Sequence, residues 1–163
     1  MVTIFTTAKD FTKEFSIIQR NALSSWRSLS DDLEIIIMGN SVGALEAANE
    51  FNAIFLPDVK VSSKNIPLVS GLFLDAQKIA KNDNLCYINC DIILNEDILD
   101  AFLIIQKNFK RYLGVCYRFN IECNQEYNFN NSRDRDKFFQ IANNSSEIDS
   151  SAAIDIFYFN RCL

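Results

Sequence analysis

Apolar residues fall along this chain in short unbroken runs separated by stretches where they recur every three or four positions, and that alternation predicts most of the elements. Residues 2–7 are β-branched and apolar and break at Ala8-Lys9-Asp10, a pattern for a strand, a turn and a helix cap. Phe11, Phe15, Ile18, Ala22, Trp26 and Leu29 then fall on one face of a helix over 11–29, closed by Ser30-Asp31-Asp32. Residues 33–38 predict a second buried strand with Gly39-Asn40-Ser41 at its carboxyl end. A small Ala-rich helix over about 42–49 and a short strand over 53–56 follow.

After a polar loop over 58–65, Pro67 suits the first turn of a helix whose buried face is Leu68, Leu72, Ala76 and Ile79. It leads into an apolar strand over 85–88, which stops at Asn89-Cys90-Asp91. Asn95 is placed to cap the next helix, with Glu96 and Asp97 in its first turn, Lys107 and Lys110 in its last, and Ile98, Phe102, Ile105 and Phe109 as its stripe. Residues 111–117 and 154–159 read as strands. Between them, 118–151 is rich in Asn, Ser and charge with one helix over 133–142. A loop of that length is functional or mobile, or else a variable surface excursion. Strands alternating with helices predict an α/β fold, a mainly parallel central sheet covered by helices on both faces, in a single domain over 1–163.

The composition narrows the chemistry. With 163 residues, 48% of them apolar, the chain can build one core. A formal charge of −5 without a Lys/Arg cluster argues against nucleic acid as partner, because phosphate neutralisation needs a basic face. No signal-peptide pattern and no bilayer-length apolar run is evident, so a soluble, cytoplasmic protein is expected. Histidine is absent, which removes imidazole bases, Cys/His zinc sites and His-dependent nucleophile systems. Cys86, Cys90, Cys116, Cys123 and Cys162 sit mostly in apolar segments without a Cys-x-x-Cys pair, and are read as reduced thiols acting as small hydrophobes. Proton transfer then falls to a carboxylate first, and to a Lys, Tyr or Cys otherwise.

Polar groups at the carboxyl end of a buried strand stand where open α/β sheets bind ligands. Asn89 and Asp91, two residues apart, would point the same way on an extended chain and could face one cation, although Asn-x-Asp also makes ordinary turns. Thr6 and Thr7 end the first strand and suit either nucleotide contacts or capping. Asn40 suits a base or ribose contact, or a left-handed turn after Gly39. Gly39 and Gly43 do not form a Gly-x-Gly-x-x-Gly fingerprint, and no Gly-Lys-Ser/Thr step follows a strand. Asp155 interrupts the apolar run 152–159, where a carboxylate must be exposed, paired or functional. Lys9, Arg20, Lys64 and Arg118 read as solvated or structural charges.

Taken in order, Thr3-Ile4-Phe5-Thr6-Thr7, Ile17-Ile18-Gln19-Arg20-Asn21-Ala22 with Ser25-Trp26, Glu34-Ile35-Ile36-Ile37-Met38-Gly39, Pro67-Leu68-Val69-Ser70 with Leu72-Phe73, the run from Cys86 to Leu94, and Ile154-Asp155-Ile156-Phe157 carry a family resemblance. The chain resembles the nucleotide-diphospho-sugar transferases of the glycosyltransferase-A fold, family-2-like, with more chain expected beyond Leu163 in such proteins. The resemblance implies a nucleoside-diphosphate sugar across the ends of the first strands. Thr6, Thr7, Asn40 and Ser70 would then lie near the nucleotide, and Asn89 and Asp91 at a diphosphate-bound Mn²⁺ or Mg²⁺. It implies transfer of the sugar to an acceptor hydroxyl of unknown identity, with inversion or retention both open, with Asp155 taking the acceptor's proton in the inverting case, and with 118–151 as a candidate acceptor loop. Asn-x-Asp stands where many relatives carry Asp-x-Asp, which removes one charge from the metal site. The alternatives are a shortened, non-catalytic nucleotide-binding or interaction module of the same fold, and a nucleotidyltransferase, whose Gly-rich phosphate loop is not evident.

Overall fold

The computed structural model describes residues 1–145, 147–148 and 153–161. Its elements run β1 (Val2–Thr7), α1 (Lys13–Leu29), β2 (Glu34–Met38), α2 (Ala44–Glu50), β3 (Ile54–Leu56), α3 (Val69–Ile79), β4 (Asn84–Ile88), α4 (Asp97–Asn108), β5 (Leu113–Tyr117), β6 (Phe119–Asn120), α5 (Ser132–Ser145), β7 (Glu147–Ile148) and β8 (Ile154–Asn160). Six strands form one sheet in the order β3-β2-β1-β4-β8-β5, and β6 pairs with β7 separately. The neighbours among β1 to β4 are parallel. The α/β class and the mainly parallel sheet with helices on both faces are as expected.

Side-chain alternation along each strand sorts the core into two layers. Ile4, Ile35, Ile37, Cys86 and Ile88 meet Ala22, Leu23 and Trp26 of α1, the alanines of α2 and Phe102 of α4 on one face. Phe5, Ile36, Met38 and Leu85 meet Leu72 and Ala76 of α3 on the other. Strands buried on both faces are apolar throughout, which is why these runs were continuous in the sequence.

β8 departs from the parallel pattern, running antiparallel to both β4 and β5, with Tyr117 opposite Ile154. Because the two are antiparallel, β5 ends and β8 begins at the same end of the sheet. The stretch 125–129 between them is held to α1: the Asn21 side chain donates to the Gln125 carbonyl at 2.8 Å and accepts from the Tyr127 N–H at 2.8 Å, and Ser24 Oγ accepts from the Phe129 N–H at 3.3 Å.

Four local expectations are corrected. Pro67 lies before α3, bridged to Val61, and the Leu68 N–H donates to the Lys60 carbonyl at 2.8 Å, so the helix starts only at Val69. Asn95 makes no side-chain cap; its amide reaches Asp97 at 3.0 Å, and its carbonyl accepts from the Ile98 N–H. On α1, Phe15 is exposed while Gln19, Asn21 and Ser25 are buried with Ala22, Leu23 and Trp26, because these polar side chains bond the backbone of neighbouring loops. Phe109, expected in the stripe of α4, is likewise exposed beyond its end.

Candidate functional site

The carboxyl ends of β1, β2 and β4 open into a cleft of about 740 Å³ whose wall includes Thr7, Lys9, Asn40, Asp58, Asn89 and Asp91. Two glycines shape its β2 side. Gly39 turns the chain at a φ of 95°, and Gly43 at 82°, where an added Cβ would stand 2.8 Å from the Cβ of Phe11. The loops after β1 and β2 are tied together: Ser41 Oγ donates to the Ala8 carbonyl at 2.6 Å and the Val42 N–H to Asp10 Oδ1 at 2.9 Å.

Four of the anticipated residues, Thr7, Asn40, Asn89 and Asp91, share this wall. Thr7 Oγ1 lies 3.5 Å from the Tyr87 hydroxyl, whose pKa burial pushes up. Thr6, the next residue inward, is fully buried with its hydroxyl on the Thr7 carbonyl, and it is not on the wall. Ser70 is exposed in the first turn of α3 and lines neither this cleft nor the second cavity described below.

Asn89 and Asp91 do not continue an extended strand. A turn begins at Asn89, whose carbonyl accepts from the Ile92 N–H at 3.1 Å, and β8 holds its start through the Asn89 N–H to Asp155 carbonyl bond at 3.1 Å. The Asn89 amide donates to Asp155 Oδ1 at 2.5 Å, and Arg118 pairs with Asp155 Oδ2 at 2.6 Å. The apolar run over 154–159 therefore tolerates its carboxylate because both oxygens are partnered. Arg118, read from the sequence as one charge among several, is the partner that permits it.

Asp91 is exposed, and it also lines a second cavity of about 470 Å³ that contains Asp155 and Arg118. Cys90 between them is buried; its thiol is pushed up to about 12, by burial first and then by the neighbouring Asp91 carboxylate. It is therefore an inert thiol at neutral pH. All four described cysteines are free, with Cys86 and Cys90 buried and Cys116 and Cys123 half-buried; Cys162 lies outside the described residues.

A divalent cation fits this donor set only in one way. Among the described residues no group of three or more His, Cys, Asp or Glu side chains gathers around a point. Because the Asn89 NH₂ is committed to Asp155, its carbonyl oxygen is the atom left to accept. One carboxylate and one amide oxygen match a hard Mg²⁺-like ion that takes most of its ligands from water and phosphate, and do not match an all-protein cage.

The loops bearing these groups are held by the buried polar face of α1, which sequence reasoning missed. Gln19 accepts from the Lys9 N–H at 2.7 Å and donates to the Lys9 carbonyl at 3.0 Å. Ser25 Oγ accepts from the Leu94 N–H at 3.0 Å, and Trp26 Nε1 donates to the Ile92 carbonyl at 2.8 Å. The signal was present as polar residues recurring beside Ala22 and Trp26, on a face that a purely apolar template assigns elsewhere.

No family model matches the chain, and no curated protein sequence does. Among solved structures, the chain is similar to the M. tuberculosis glucosyl-3-phosphoglycerate synthase, with 14% identity, 68% of this chain and 41% of that one covered, and a TM-score of 0.49. A second structure of that synthase, in complex with Mg²⁺ and uridine diphosphate, gives 15%, 68%, 40% and 0.47. S. aureus TarS, residues 1–349, gives 12%, 69%, 34% and 0.47, and the bifunctional IspDF from Campylobacter jejuni 7%, 97%, 40% and 0.49. The likeness is one of fold. The chain spans about two fifths or less of each of these proteins. Among the described residues no helix is long and apolar enough to cross a membrane.

Proposed function

We propose that the chain binds a nucleoside-diphosphate sugar in the cleft at the ends of β1, β2 and β4 and passes its sugar to an acceptor hydroxyl. The observation that carries this reading is the convergence of Thr7, Asn40, Asn89 and Asp91 from three strand ends on one cleft of about 740 Å³. Ligands in open α/β sheets bind at that edge, and a volume of this order accommodates a nucleotide. In this reading Thr6 supports Thr7 from beneath and Asn40 meets the base or ribose, while Ser70, which lines neither cavity, takes no part. Asp91 and the side-chain oxygen Oδ1 of Asn89 would hold Mg²⁺ or Mn²⁺. When bound, the ion stabilises the negative charge of the departing diphosphate.

Asp155 is the proton acceptor in this reading. It lines the second cavity and would meet the acceptor hydroxyl there, once Arg118 or Asn89 yields one of its oxygens. Those same two contacts favour a second reading, in which the chain holds the nucleotide and turns nothing over.

Calorimetric titration with uridine, guanosine and thymidine diphosphates, with and without Mn²⁺, tests the proposal. One of them is expected to bind with Mn²⁺, and Asp91→Ala, at an exposed position, is expected to weaken that binding by about tenfold or more while leaving the melting temperature unchanged. If no diphosphate binds with or without the metal, both readings fall. Binding without hydrolysis or transfer of the matching nucleotide sugar selects the second.

A further inference from the structure

The second cavity, of about 470 Å³, differs in character from the cleft it adjoins. Its wall includes Tyr117, Phe119, Phe138 and Phe139 together with Ile92 and Ile98, with Asn95 and Asn143 as its neutral amides. Phe138 is buried and packed edge-on against Phe129 and Tyr127 at centroid distances of 5.3 and 5.2 Å, so that side of the wall is backed by other rings. Among the described residues the wall carries three carboxylates, Asp91, Asp97 and Asp155, the Cys116 thiol, the Tyr117 hydroxyl and the Arg118 guanidinium, which is already paired with Asp155 at 2.6 Å. Asp91 belongs to both cavities, so it marks where the two meet.

We infer that this cavity takes an uncharged acceptor with an aromatic or otherwise hydrophobic body, its hydroxyl end directed toward Asp155 on the side where Asp91 joins the two cavities. The inference rests on the transferase reading for the word acceptor, and on the wall chemistry for the rest. Aromatic and aliphatic side chains gain by covering an apolar body. With Asp91 taken up as a metal ligand, an anionic acceptor would still meet Asp97 and Asp155 against Arg118 among the described residues, and would have to displace Asp155 from Arg118 to be neutralised. A small polyol alone would leave the ring wall wet. The volume lies within the range of about 300–1,000 Å³ that encloses most of a small ligand.

The test uses three probes: phenylethyl glucoside, methyl glucoside and phenylethyl phosphate. Each is titrated by calorimetry against the whole chain, with uridine diphosphate and Mn²⁺ binding measured in separate runs. Phenylethyl glucoside is expected to bind about tenfold or more tightly than either of the others. Two variants address the cavity: Phe139→Ser removes part of its wall, and Ala101→Phe fills it from an exposed position on α4, where the fold is not at stake. Both are expected to weaken phenylethyl glucoside by about tenfold and leave nucleotide binding as it was. Equal binding of methyl glucoside, tighter binding of the phosphate, or an Ala101→Phe chain that binds like the parent overturns the inference. If phenylethyl glucoside binds as expected while no nucleotide does, the cavity's preference stands and its role as an acceptor site falls with the transferase reading.

Discussion

At the scale of single residues the site turns on Asp155. Its carboxylate is mostly buried and partnered by Asn89 and Arg118, so its removal takes one acceptor from a buried-side amide and one from a guanidinium. Asp155→Ala is expected to lower stability by about 2 kcal/mol, read by urea denaturation, since Arg118 keeps part of its solvation. Asp155→Asn retains an acceptor for Asn89 and should lose less. The carboxylate was conspicuous in the sequence because it broke an apolar run. Its partners were not, since Asn89 and Arg118 lie 66 and 37 residues away along the chain.

At the scale of elements, α1 serves as the post to which three loops are tied. Ser25 lies at the centre of this arrangement: its buried hydroxyl donates to the Ala22 carbonyl at 2.7 Å and accepts from the Leu94 N–H. Ser25→Ala strands a buried N–H in the loop that follows Asp91. It is expected to cost about 1–3 kcal/mol in urea denaturation and to weaken Mn²⁺-dependent diphosphate binding severalfold. Ser28→Ala, on the same helix but bonded only to the Ser25 carbonyl, should change stability by about 0.5 kcal/mol or less and leave binding alone. The period of α1 was legible, as was its length. Which arc of it faces inward was not, because burial here follows hydrogen bonds to distant loops as much as apolarity.

At the scale of the whole molecule, the two-sided burial of the sheet encloses Cys86, Cys90 and Tyr87, and each is pushed toward its neutral form. An acid whose pKa is raised on folding stabilises the fold below its unfolded value and loses that contribution as pH rises through the folded one. Stability is thus expected to be level near neutrality and to fall between about pH 9 and 12, the ordinary and folded values for the Cys90 thiol. Urea midpoints measured across that span check it. Cys86 and Cys90 should also resist alkylation by iodoacetamide at about pH 8 until denaturant is added. The sequence by itself determined the α/β class, the parallel strands β1 to β4 and the strand ends that carry Thr7, Asn40, Asn89 and Asp91, because periodicity and apolar runs are local properties of the chain. Only the tertiary structure decided the reversed direction of β8, the inward arc of α1, the pairing of Asp155 and the meeting of two cavities at Asp91. Each of these depends on contacts between segments far apart in the chain, and a local pattern carries no record of which distant segment will supply the partner.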